Sequence, residues 1–390
     1  MPCALRASLA FLAAVAIATA ATVTSSECEV ATKRIKCDNA NKDDTPNLQA
    51  ALNACHHLVL PANKTCMTYP LTLSSNFILT IPANTTLKAG ASIHWPNASE
   101  THALPLLTAP MGTTNLTIRG HGTIDGSGDQ WWGNCCRPHM LTLPDATNVL
   151  LENFLMLNSA DFHAELHGSN YQIFGIKIRS PDYQIAPNTD GIDVQGTNIH
   201  IRGVDVSNGD DSICIKSPSS NVLVEDSIVR QGNGLVVGTG GHTNITNITF
   251  RNCTAIHTVY GCHIKFKDGQ KGEPGVSNIT FEDIHIISPT KYAIGINQNG
   301  QGRRRRRRLA TFSGSDVPIN NITYRRIYAQ LEKGKKKGGE FICNPGSRLA
   351  CRGIIFEDVN LGDNAECQFQ NVYGKGKNVK PLSCVPLPEN

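Results

Sequence analysis

The stretch from Asn198 to Gly232, NIHIRGVDVSNGDDSICIKSPSSNVLVEDSIVRQG, carries one pattern twice. An asparagine opens an alternating apolar run (Asn198-Ile199-His200-Ile201, then Asn221-Val222-Leu223-Val224). A break follows, and a second short run closes at a turn (Val204-Asp205-Val206, then Ile228-Val229-Arg230). Alternation with a period of two marks a strand with one buried face. The same unit recurs outward in both directions. It begins at Asn115, Asn148 and Asn170 upstream, and at Asn247, Asn278 and Asn321 downstream, with Gly353 starting the last copy. Successive starts lie 22 to 43 residues apart.

A self-similar unit of this length signals a solenoid or a propeller. A propeller blade needs four strands and a steadier period. A β-sandwich needs hairpin turns, and the Asn-Gly and Asp-Gly pairs do not fall at hairpin spacing. The expectation is an all-β chain wound as a single-stranded parallel β-helix. Each coil stacks on the next about 4.8 Å away, and the repeated asparagines stack as a side-chain ladder at the turn. Helical spacing is confined to Asn47–His56, behind Thr45-Pro46, which reads as a short N-terminal capping helix.

The coil period gives the acidic turns a place. Asp190 to Asp210 is 20 residues, Asp210 to Asn233 is 23, and Asn233 to Lys265 is 32. Each step is about one coil, so these groups should stack on one face, with Asp211 beside Asp210. Crowded carboxylates cannot all ionise cheaply, so at least one keeps its proton. A protonated acid beside an ionised base is what glycoside hydrolysis requires. Carboxyl groups roughly 6.5–9.5 Å apart would indicate inversion, and about 5 Å retention. A single Asp-Gly would read simply as a turn. Calcium is another use for clustered aspartates, but spaced oxygen ligands are missing and Lys265 opposes a cation, so no metal is expected.

The blocks NTDGID (Asn188–Asp193), NGDDSICIKS (Asn208–Ser217), GNGLVVGTGG (Gly232–Gly241) and HIKFKDG (His263–Gly269) resemble the motif blocks of the polygalacturonases, glycoside hydrolase family 28. GTIDGSGDQWW (Gly122–Trp132) and KYAIGINQNG (Lys291–Gly300) extend the likeness. The resemblance implies a right-handed coil and inverting hydrolysis of α-1,4-galacturonosidic links in pectin, without a cofactor. It implies Asp210 as general acid, Asp190 and Asp211 as the pair that positions and activates water, and Asn188, Lys265 and Tyr292 as substrate-binding groups. Gly191, Gly209, Gly232 and Gly234 are expected where backbone passes close to a sugar.

Two positions depart from the family pattern. Asn233 stands where the family has the histidine of Gly-His-Gly, and His263 replaces the arginine of Arg-Ile-Lys. Asn233 can bond but not carry charge. His263 can hold a carboxylate only when protonated, and without arginine's fork. A different pectic backbone, such as rhamnogalacturonan or xylogalacturonan, would account for both changes, as would a catalytically impaired pectin-binding homologue. A purely structural glycoprotein gives no reason for Asp190, Asp210 and Asp211 to fall in register. Cys214 lies two positions past Asp211, where the family often has Cys directly after the pair, and the partner cysteine before Gly-His-Gly is absent.

Residues 1–26 read as a secretory signal peptide: Arg6, an apolar run from Leu9 to Ala21, then small residues. Residues 27–390 then form one catalytic β-helix domain. Thirteen of the 14 cysteines would remain after removal, and Cys343–Cys351 and Cys367–Cys384 read as local staples. Nine Asn-x-Ser/Thr sequons imply a glycosylated, extracellular chain. The expected partner is a pectic polysaccharide; neither nucleic acid nor membrane is expected to bind the mature chain, which should be a monomer. The Arg303–Arg308 run reads as a solvated loop between coils, and KGKKKGG from Lys333 as a second basic patch. His163 is expected at the cleft edge, His167 in a turn and His242 in a loop. Trp131-Trp132 reads either as a sugar platform or as core.

Overall fold

The computed structural model describes residues 25–38, 41–96, 103–134, 136–238, 244–266, 273–298, 315–346 and 348–388. Within them the chain winds as a right-handed parallel β-helix, its strands paired in parallel from coil to coil. Three sheets line each coil. The coil at Ile192–Arg202 and Asp205–Ser207 shows the plan: the first strand bends at Gly196 and serves two sheets, and the second serves the third. Ile199, Val222, Ile248, Ile279, Ile322 and Ile354 form one inward row in strict register. All are buried, each worth roughly 1.5–3 kcal/mol of apolar burial. Phe250, Phe281 and Tyr324 stack beside that row, with centroids 5.0 and 5.3 Å apart. One coil could not cover this surface alone, which is why the unit repeats.

The asparagines that open the repeat do form a ladder. Each donates its Nδ2–H to Oδ1 of the preceding rung, from Asn115 on Asn76 through Asn321 on Asn278, at 2.8–3.4 Å. Every rung has φ between 55° and 59°, a left-handed turn that asparagine tolerates better than other residues with a side chain. Gly353, at φ 62°, takes the last place, where glycine meets the same backbone demand without a side chain. Asn198→Ala removes two rung bonds and puts a Cβ residue with no polar compensation into that turn. We expect a loss of about 2–3 kcal/mol, read as a lower urea midpoint at unchanged slope, and Asn198→Gly should recover about half of it.

The capping helix runs Thr45–Ala54 rather than Asn47–His56. It starts early because the Asp43 carboxylate accepts from Thr45 N–H at 2.8 Å and Pro46 suits a first turn. It stops early because Cys55 turns extended to enter the first strand. A second helix, Ser25–Arg34, was not foreseen. Its apolar face is thin, with Ala31 buried and Ile35 buried just past its end, and a disulfide from Cys28 to Cys55 fastens it to the cap. Its first two residues fall within the expected signal segment, whose residues 1–24 lie outside the described ones. Cys37–Cys66 ties the same end. Both anticipated staples form, Cys343–Cys351 and Cys367–Cys384. Among the described residues, no helix is long and apolar enough to cross a membrane.

Candidate active site

The first sheet carries the site on its outer face. Its strands are in register from Glu165 through Asp193, Cys214, Val236, His263 and Gly295 to Glu340, and these side chains point away from the core. At the turn entering this sheet, successive coils present Asp190, then Asp210 and Asp211, then Asn233. Backbone bonds lock them together: Gly191 N–H donates to Asp211 O at 2.8 Å, and Asn233 N–H to Asp210 O at 2.7 Å. Asn208, fully buried, donates through Nδ2 to Thr189 O at 2.9 Å and Asp211 O at 2.8 Å, joining the two acidic turns.

One oxygen from each of Asp190, Asp210 and Asp211 lies within 4.8 Å of the others. Asn233 Nδ2 donates to Oδ1 of both Asp210 and Asp211 at 2.8 Å, and Lys265 Nζ reaches Asp211 Oδ1 at 2.6 Å. Asn188 Nδ2 stands 3.5 Å from Asp210 Oδ2. Lys216, which the sequence reading passed over, is 2.6 Å from Asp193 and 3.9 Å from Asp190. Three such oxygens could draw a cation, but here Lys265 and Lys216 bring the positive charge.

The environments push the carboxyls apart. Burial, then the neighbouring Asp211 charge, raises Asp210 to about 6, against the pull of Lys265. Burial and three neighbouring aspartates drive Asp190 well above the ordinary carboxylate range, so it holds its proton. Burial alone would raise Asp211 too. Lys265, Lys216 and the bonds from Lys265 and Asn233 outweigh it and bring Asp211 to about 2. One site therefore holds a proton donor and a permanent anion. Because the folded value of Asp211 is depressed, its contribution to stability is present above its unfolded value and is lost as pH falls through about 2. In Lys265→Met the Asp211 carboxyl should titrate higher by about one to three units, as read by carbon NMR of labelled aspartate; no movement would mean the ammonium does not set its charge.

Arg137 was also missed. Its guanidinium donates to Ala160 O at 3.1 Å, Pro187 O at 2.6 Å and Asn188 Oδ1 at 3.0 Å. It thus clamps the turn that carries Asn188 and Asp190, reaching across 50 residues of sequence that only the coiling brings close.

Several expectations change. His263 is 1% exposed, its ring lies 3.7 Å from that of Tyr260, and burial together with Lys265 holds its pKa well below the usual histidine value. It is neutral and covered, and so cannot act as a cationic carboxylate ligand. Tyr292 is also buried, with the ammonium groups of Lys291 and Lys337 over its ring at 5.8 and 5.5 Å. Gly191, Gly209, Gly232 and Gly234 have a structural reason of their own. A Cβ at any of them would fall 1.9–2.3 Å from a carbonyl oxygen of an adjacent coil, so coil stacking requires them. His163 is not at the cleft edge: it is buried, 3.0 Å from Asp190 O, and burial lowers it to about 4. His167 is half-buried near Glu165, but it lies within strand Ala164–Phe174, paired with Gln195, rather than in a turn. Trp131 is core, packed edge-on against Trp95. Cys214 keeps a free, buried thiol. His242 and the Arg303–Arg308 run lie outside the described residues.

The profile described as "Glycosyl hydrolases family 28" matches residues 53–384. Polygalacturonase QRT2 of Arabidopsis thaliana is 28% identical over 376 residues, 88% of this chain and 81% of the relative. Probable rhamnogalacturonase B of Aspergillus terreus is 29% identical over 271 residues, 68% of this chain and 48% of that protein. The chain spans about half the length of several such relatives. Among solved structures, a polygalacturonase from Erwinia carotovora ssp. carotovora superposes with a TM-score of 0.71 at 22% identity, covering 86% of this chain and 94% of the other.

Proposed function

The chain belongs to family 28 of the glycosyl hydrolases, and from that premise we propose that it is an exported enzyme that cleaves α-1,4-galacturonosidic links of pectin with inversion. The observation that carries this reading is the split pair of Asp210, at about 6, and Asp211, at about 2, bridged by one asparagine nitrogen. Asp210 gives its proton to the glycosidic oxygen as the bond to the anomeric carbon breaks. Asp211 takes a proton from the water that attacks that carbon, and the protonated Asp190 holds the same water by hydrogen bonding. The two protons balance: one leaves Asp210 with the departing sugar, and one arrives at Asp211.

The carboxylate spacing needs its own argument, because nearest oxygens within 4.8 Å fall at the short distance usually tied to retention. A retaining enzyme needs a free, ionised carboxylate on the sugar face opposite the acid. Asp211 is buried, and its Oδ1 is held by Asn233 and Lys265, which damps it as a nucleophile toward carbon while it can still take a proton from water. Asp190 is buried and protonated, a poor nucleophile. Water is then the available nucleophile.

Export is supported by four disulfides and by the expected leader and sequons. A second reading, a rhamnogalacturonan backbone, is favoured by one observation: with His263 neutral and Lys265 bound to Asp211, few free charges among the described residues meet an acidic sugar at the cleavage point. Incubation with polygalacturonate, rhamnogalacturonan and xylogalacturonan, followed by sizing of the products, separates these readings. Shortened oligogalacturonates support the first, products from rhamnogalacturonan alone support the second, and binding without turnover would indicate an impaired homologue.

A further inference from the structure

The charges nearest the acids are committed to carboxylates, whereas two lysines farther along the same sheet keep charge to spare. Strand Tyr260–Lys265 pairs with Tyr292–Asn297, and that with Lys337–Ile342. Asp211, Asn233, Tyr260, Tyr292 and Lys337 thus belong to five successive coils, and Tyr292 and Lys337 stand about 14 and 19 Å from the acid pair along the axis. The rings of Tyr260 and Tyr292 are stacked 5.9 Å apart. Gly295 makes room for the first: a Cβ there would come within 2.9 Å of the Tyr260 ring. Lys291 Nζ lies over both rings, donates to the neutral Tyr260 Oη at 2.7 Å and stands 3.5 Å from Glu340, so its charge is only loosely paired. Glu340 is already taken by Tyr260 O–H at 2.6 Å and Asn297 Nδ2 at 3.2 Å. Lys337, exposed, stands over Tyr292 at 5.5 Å, and among the described residues no ion pair holds it.

The geometry points to a carboxylate-binding subsite formed by Lys291 and Lys337 on the Tyr260–Tyr292 platform, which takes a uronate residue several sugars from the cleavage point. This rests on the proposed pectic substrate and deepens it, because it calls for a chain with acid groups beyond the reacting sugar. Two ammonium groups facing one committed carboxylate leave net positive charge, and the tyrosine faces hold the lysine stems and orient their heads. A carboxylate accepting charge-assisted bonds from both would be held firmly even in a half-open groove. A sugar lacking the acid, or carrying it as a methyl ester, would gain nothing there. The subsite is distinct from Lys265, whose ammonium is committed to Asp211.

The test uses the full chain, Lys337→Gln, and Lys375→Gln as a control on an unrelated exposed strand. Calorimetric titration with a pure oligogalacturonate measures binding whether or not turnover occurs, and initial rates measure KM and kcat where it does. Lys337→Gln should weaken binding and raise KM about tenfold, the equivalent of one charge-assisted bond. Its kcat, its affinity for the methyl-esterified oligomer and its circular dichroism should stay unchanged, and Lys375→Gln should match wild type. Equal affinity of wild type and Lys337→Gln, or no binding of the oligogalacturonate to wild type, overturns the subsite. Tight binding that depends on Lys337 without cleavage of any pectic substrate upholds the subsite and defeats the proposed hydrolysis. Cleavage with a KM indifferent to Lys337 does the reverse.

Discussion

Asp210→Asn should lower the turnover of a pectic substrate by about 10³-fold, within the range that a positioned general acid contributes, while the fold survives. The substitution is nearly isosteric. The amide oxygen can still accept from Asp211 N–H and Asn233 Nδ2, which reach Asp210 Oδ1 at 2.9 and 2.8 Å. It also takes a charge out of a crowded acidic cluster, so stability should not fall. What it removes is the proton. An amide cannot protonate the leaving oxygen, and the neighbouring Asp211, at about 2, carries none to give. Reducing-end release measures the effect, with the urea midpoint as the check on folding. Activity within a few-fold of wild type would remove Asp210 from the role of acid.

The second large effect is on pH. Asp210 must be protonated to act, and it titrates at about 6. Well above that value the active fraction should fall tenfold per unit, about 50-fold in all between pH 6 and pH 8. On the acid side, Asp211 must be ionised, and it stays so down to about 2. The profile should therefore be a broad plateau under acidic conditions with a sharp alkaline edge. Those limits belong to the coupled set of aspartates rather than to any one of them. Asp190, held protonated by burial and its neighbours, adds a second loss once it too ionises, so the alkaline edge should steepen at higher pH. Rates of kcat/KM on an oligogalacturonate give the curve, read above about pH 5 where the substrate's own carboxylates stay ionised. An optimum above neutrality would contradict the proton assignment.

Much of the coil was legible because its physics is local and repeated. A strand with one buried face must alternate, a stacked turn with positive φ favours asparagine, and both signals recur in each unit from Asn115 to Asn321. The spacing of Asp190, Asp210, Asn233 and Lys265 could be read once the period was known, and the structure brings all four together. Groups that act across coils left no such mark. Arg137 reaches Pro187 over 50 residues, and Lys216 looks like any lysine on an alternating strand until Asp193 and Asp190 are placed beside it. The helix Ser25–Arg34 is too short and too polar to show a periodic face. The four glycines gave a true signal of close approach, and the neighbouring coil supplies a partner for it that the sequence did not reveal. His263 stands where the resembled family has the arginine of Arg-Ile-Lys, which suggests a ligand, and nothing in the sequence reveals that a tyrosine ring covers it.

The configuration of the first product tests the central assignment, water activated between Asp190 and Asp211 while Asp210 gives its proton. Proton NMR of a fresh digest of an α-linked oligogalacturonate, taken before mutarotation, separates the two anomers at the new reducing end. The expected product is the β-anomer. An α-anomer would mean that a carboxylate, not water, attacks the sugar, and the roles given to these three aspartates would then be wrong.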